Sequence, residues 1–112
     1  MKLTHTKLLP ELGVSHNPDI KKKVFLGRGE IPQLMNFGTA TFKPGQAVEE
    51  HKHDTMFEVF YIQSGKAEFI VNGEALVLRA GDCITLEPGE LHSQNNPFKE
   101  DVVWLYFGIA TD

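Results

Sequence analysis

Three histidines and a glutamate in this chain have the types and spacing to hold a metal ion. In Glu50-His51-Lys52-His53, two histidines stand at i and i+2. On a strand that spacing turns both imidazoles to one face, because side chains alternate with a period of two. Glu58 follows in the run Met56–Gln63, where its face-mates are Met56, Phe60 and Ile62. A carboxylate set in an apolar row is costly to bury unless it is paired or bound to a metal. With that row pointing inward, His51, His53 and Glu58 line one interior. His92 comes later, after Pro88-Gly89, and Gln94 shares its face. The two remaining histidines, His5 and His16, lie near the start of the chain and are set aside as ordinary polar residues.

The elements that position these groups read as strands. Residues 1–20 contain Pro10, Gly13 and Pro18 and read as an irregular N-terminal arm, with residues 21–112 forming a single domain. From Lys23 onward, β-branched and aromatic runs alternate with Gly, Pro, Asn and Asp. That pattern belongs to a sandwich or barrel. Strands are expected near residues 23–28, 33–43, 47–53, 56–63, 65–72, 74–79, 82–86, 91–95 and 101–110. Asn72-Gly73, between two apolar runs, suits a type I′ hairpin turn, since both residues accept positive φ. No long segment keeps a helical period without an interrupting Gly or Pro. The chain is expected to be all-β.

At this point the residues resemble a family. Gly45-x5-His51-x-His53-x4-Glu58-x6-Gly65 matches the first motif of the cupin superfamily at every specified position. The second motif is similar to Gly81-x7-Gly89-x2-His92-x3-Asn96. It departs once, where Glu87 replaces the usual first proline, with Pro88 directly after it. The resemblance covers roughly residues 35–110. It implies a double-stranded β-helix, a small jelly-roll barrel of two facing sheets, with metal ligands at His51, His53, Glu58 and His92. Three neutral imidazoles and a carboxylate suit a first-row divalent ion: Fe, Mn, Ni, Co, Cu or Zn. Such a set leaves the ion at net +1, with two positions open if the geometry is octahedral. By parity the pocket beside the ion would be lined by Met56, Phe60, Ile62 and Gln94, a mostly apolar wall for a small molecule. Trp104 and Tyr106 share one face of the last strand and read mainly as packing. Cys83 reads as a small buried residue.

Composition narrows the function further. Lys and Arg number 11 against 15 Asp and Glu, a net charge of −4. The only basic cluster, Lys21-Lys22-Lys23, is too short for a nucleic-acid surface. No apolar run is long enough for a membrane span. One cysteine excludes an intramolecular disulfide and favours a reducing compartment, most simply the cytoplasm. The partners expected are a small-molecule ligand or substrate, no nucleic acid and no membrane, with a homodimer formed through the edge near Phe25 and Leu26. A metal-dependent enzyme is the first reading, with dioxygenase-like chemistry favoured and isomerase or decarboxylase chemistry behind it. The alternative is a non-catalytic cupin that binds or senses a small ligand.

Overall fold

The computed structural model describes residues 1–112. Nine strands form in chain order: β1 (Leu12–Val14), β2 (Asn17–Leu26), β3 (Leu34–Phe42), β4 (Met56–Ser64), β5 (Lys66–Val71), β6 (Glu74–Arg79), β7 (Cys83–Leu86), β8 (His92–Asn95) and β9 (Val102–Ala110). The only helical element is a single 3-10 turn, Thr6–Leu8. No helix is long and apolar enough to cross a membrane. All ladders are antiparallel. One sheet has the order β1-β2-β3-β9-β4-β7 and the other β6-β5-β8. This is the all-β, two-sheet barrel that the motifs implied.

The core lies between the sheets and follows from strand alternation. Phe60 and Ile62 of β4, Ala67 and Phe69 of β5, and Val102 and Trp104 of β9 all turn inward, with Ile20, Ala40, Phe42, Val48 and Leu86 completing the cluster. Trp104 is its centre, with Phe42, Phe60 and Phe69 ring centroids 4.4, 5.8 and 5.6 Å away. The hairpin at Asn72-Gly73 has φ of 48° and 83°, the positive values that a type I′ turn needs.

Two segments differ from expectation. Residues 12–20 are not irregular: they form β1 and the start of β2, so the division at residues 20/21 falls inside a strand. Within this arm, irregular backbone is confined to the first eleven residues, apart from the 3-10 turn. Gly13 and Pro18 read as breakers but serve the hairpin, because a Cβ at Gly13 would stand 2.7 Å from the Pro18 carbonyl oxygen. Only glycine lets the two strands approach so closely. The expected strand at 47–53 is the reverse case. It runs beside β8 but makes only isolated bridges, Ala47 to Asn95 and His51 to His92. Its charged stretch Glu49–Asp54 offers no β-branched row to pack, so regular pairing lapses.

Cys83 is also exposed rather than buried. It starts β7 at the sheet edge, opposite Tyr61 of β4, on the outward face.

Candidate metal centre

The four ligand candidates arrive from three different elements. His51 and His53 sit on the irregular segment before β4, Glu58 is within β4, and His92 opens β8. The segment is pinned to β8 by a reciprocal pair of backbone bonds: the His51 N–H donates to the His92 carbonyl at 2.9 Å, and the His92 N–H to the His51 carbonyl at 2.8 Å. A further bond, from the Gly89 N–H to the His53 carbonyl at 2.8 Å, fixes the second histidine. The His51 ring lies 5.1 Å from that of His53 and 4.5 Å from that of His92, centroid to centroid. One ligand atom from each of His51, His53, Glu58 and His92 falls within 4.8 Å of all the others.

Proton positions test whether this cluster fits a metal. The Nδ1–H of His51 donates to the Glu49 carbonyl at 2.7 Å, and that of His92 donates to the Glu90 carbonyl at 2.9 Å. A carbonyl accepts only from an N–H, so each Nδ1 is protonated and each Nε2 is left for the centre. There, the Glu58 carboxylate oxygen lies 3.1 Å from the His92 Nε2 and 3.2 Å from the His53 Nε2. A metal and a proton would compete for that space, as at any site whose ligands must be deprotonated. The donor set of three imidazoles and one carboxylate fits a borderline divalent ion.

Local electrostatics split the histidines. Burial lowers the His51 imidazole below its ordinary value, with the Glu49 carbonyl opposing and neighbouring His92 reinforcing that shift. Burial also pulls on His92, but the Glu58 carboxylate and the Glu90 carbonyl outweigh it, and its basicity ends above the ordinary value.

The cluster opens onto a cavity of about 180 Å³ between the two sheets. Met56, Phe60 and Gln94 line it. Ile62 does not: it is one inward position deeper than Phe60, opposite Trp104, and is fully buried in the core. Two inward-facing glycines make room beside it: a Cβ at Gly38 would collide with the Lys23 carbonyl oxygen on β2 and crowd the Tyr106 hydroxyl at 3.1 Å, and one at Gly108 would lie 2.8 Å from the Met56 sulfur. Trp104 and Tyr106 both line the cavity while packing against Phe60. Burial, with the Glu58 charge adding to it, pushes the Tyr106 phenol up to about 12.

His16 is the residue that sequence reasoning set aside and the structure brings in. The turn at Ser15-His16, between β1 and β2, reaches over the cavity, and the His16 ring stacks on His51 at 4.2 Å and 27°. Burial and the nearby His51 lower its imidazole basicity. No local signal marks it, because its place depends on a hairpin concealed by Gly13 and Pro18. Lys22 and Asn36, inward-facing on β2 and β3, were missed in the same way. Tyr61 is exposed on the opposite face of β4 and takes no part.

Comparison with known proteins places these features in context. The cupin domain family model matches residues 38–108. The oxalate-binding protein of Thermotoga maritima is 36% identical over 69 residues, covering 62% of this chain and 57% of that protein. Gentisate 1,2 dioxygenase 1 of Aquipseudomonas alcaligenes is 24% identical over 92 residues, covering 82% of this chain and 25% of that one. The chain thus spans less than two thirds of the length of either relative. The crystal structure of a predicted oxalate decarboxylase from Thermotoga maritima superposes with a TM-score of 0.89 at 24% identity, covering 97% of this chain and 99% of that one. At that identity the match establishes the fold.

Proposed function

Since this chain belongs to the cupin domain family, we propose that His51, His53, Glu58 and His92 hold one divalent first-row transition metal, and that the chain uses it to act on a small molecule. Dioxygenase-like chemistry is favoured, with isomerase or decarboxylase chemistry next. The observation carrying this reading is the convergence of four ligand atoms within 4.8 Å of one another at a cavity mouth. When bound, such an ion supplies Lewis-acid or redox activation to a molecule beside it. The chain's own groups do the positioning. The Glu49 and Glu90 carbonyls orient two imidazoles, Met56 and Phe60 present an apolar wall, and Gln94 offers its amide to the bound molecule. The similarity to a gentisate dioxygenase supports the oxygenase version.

A second reading, binding without turnover, is supported by the similarity to an oxalate-binding protein. Incubation of metal-loaded protein with a bound small acid under oxygen separates the two: unchanged acid recovered after long incubation favours binding. A homodimer in the cytoplasm completes the proposal. Its support is that β1 covers β2 only as far as Lys22, leaving the edge from Lys23 to Leu26 free, together with the single cysteine. A hydrodynamic mass near 12.6 kDa would refute the dimer.

Elemental analysis of protein prepared without oxygen, beside a Glu58→Ala control, tests the central claim. Near-stoichiometric metal in the wild type and its loss in the control are expected. Absence of metal after reconstitution with each first-row ion would overturn it.

A further inference from the structure

Beyond the four ligand candidates, the cavity carries a second set of polar groups, and none has a partner within the chain. Gln94 is only 5% exposed, yet its side-chain amide makes no hydrogen bond; it lines the cavity on β8. The Tyr106 hydroxyl is fully buried and is the one buried side-chain polar atom without a partner. Buried polar groups are ordinarily paired, and leaving one unpaired costs about 1–3 kcal/mol. The Tyr106 hydroxyl is one such orphan, and with the unpaired Gln94 amide lining the same cavity it marks a place built for something that pairs with them.

Lys22 supplies the charge. Its neighbours in sequence are satisfied, Lys21 by the Pro18 carbonyl at 3.0 Å and Lys23 by the Thr6 carbonyl at 3.3 Å. Lys22 alone of the three faces the cavity, and it makes no hydrogen bond or ion pair. Across β3 and β9 from Glu58, at the same level of the barrel, stands Asn36, with Gly108 between them and the Met56 side chain lying against that glycine.

The charge sum then decides the ligand class. Glu58 is the only carboxylate lining the cavity. A divalent ion paired with it leaves +1, and Lys22 raises the total to +2. The whole chain, by contrast, carries −4. A low-dielectric cavity of that sign favours an anion. Its volume of about 180 Å³ is below the roughly 300–1,000 Å³ of sites for drug-sized ligands, so the anion is small.

We propose that the cavity takes a small carboxylic acid as its anion, with the carboxylate held by Lys22 and hydrogen-bonded by Tyr106, Gln94 and Asn36 on the side away from the ligand cluster. This rests on the metal reading above, and it makes Lys22 and Tyr106 specificity residues.

The test is calorimetric titration of the manganese-loaded chain with a series of two- to six-carbon acids (acetate, oxalate, pyruvate, malonate, succinate) and with the amides of the same acids. Metal content is measured on each sample, and Trp104, the single tryptophan and a cavity residue, gives an independent fluorescence signal. At least one acid should bind while its amide binds at least about tenfold more weakly. Lys22→Met should weaken that acid by about ten- to a hundredfold, and Tyr106→Phe by about tenfold, with metal content unchanged in both. Tyr106→Phe and the acid–amide comparison on wild-type protein keep the test decisive if Lys22→Met does not fold. Metal-loaded protein that binds no acid with a Kd below about 10 mM, or binds acid and amide alike, overturns the proposal. Where manganese is not taken up, the titrations use whichever first-row ion is, and protein that takes up none of them overturns the metal reading instead.

Discussion

The two ends of the barrel are built on the same strands and differ in what those strands turn inward. Along β9 the inward residues run Val102, Trp104, Tyr106, Gly108. Along β4, in the opposite direction, they run Ile62, Phe60, Glu58, Met56, and along β3 Phe42, Ala40, Gly38, Asn36. At one end these are apolar side chains, mostly large, with exposures of 5% or less. At the other, Met56 apart, they are polar or lack a side chain. Antiparallel register makes the change fall at a common level: Ala40, Trp104 and Ile62 share one row, while Asn36, Gly108 and Glu58 share another two rows away. The lesson is a division of labour along single strands. One half of each strand supplies the packing that holds the sheets together, and the other gives up packing to leave space and, on β4, to present a ligand candidate.

That division can be broken from either end. The largest stability effect belongs to Trp104→Ala, which removes the ring at the core centre and should cost about 3–5 kcal/mol by chemical denaturation. Metal uptake in that variant should fail only as the fold fails. Glu58→Ala should do the opposite. Metal affinity falls by at least about a hundredfold, since loss of a group that merely supports a ligand already costs 10–100-fold. The metal-free variant should unfold close to the metal-free wild type. If Glu58→Ala instead destabilises the metal-free chain as much as Trp104→Ala, the two halves are not separable. Ile62→Val, at the closed end, sharpens the contrast: about 0.5–1.5 kcal/mol of stability lost, with unchanged metal stoichiometry.

The smallest effect concerns Tyr106, at the boundary between the halves. Its phenol ionises at about 12 in the folded chain, above the ordinary value near 10. Between those values the unfolded chain releases a proton that the folded chain keeps, so stability falls as pH rises through that interval. Tyr106→Phe should flatten this part of the stability curve and remove a late phase from the tyrosinate absorbance titration.

Much of this arrangement was legible in the sequence because two periodicities agreed with it. Strand alternation put Met56, Glu58, Phe60 and Ile62 on one face, and the spacing of His51, His53 and His92 gave three nitrogen donors. Parity alone could not say how deep each residue lies. Ile62 shares the face of Phe60 but sits a level further in, where the core closes over it. The histidine pair shows a different gap: the i, i+2 spacing holds, yet the backbone bearing it is a bridged loop rather than a strand. Cys83 was misplaced because an edge strand of four residues has too few positions to fix its parity. His16, Lys22 and Asn36 depend on strand partners far along the chain, and no local pattern records them.

One feature of the topology also has a consequence in time. β9 lies in the middle of the larger sheet, pairing β3 on one side and β4 on the other, although it is the last strand in chain order. Long-range pairings of this kind close late, because loop entropy must be met before the contacts repay it. All four ligand candidates precede β9 in the sequence. If β9 docks last, all four ligand candidates are present in the chain before the strand that brings Trp104 into the core. Refolding experiments with metal present from the start, against metal added at the end, would reveal whether the ion marks the finish of the process or helps to steer it.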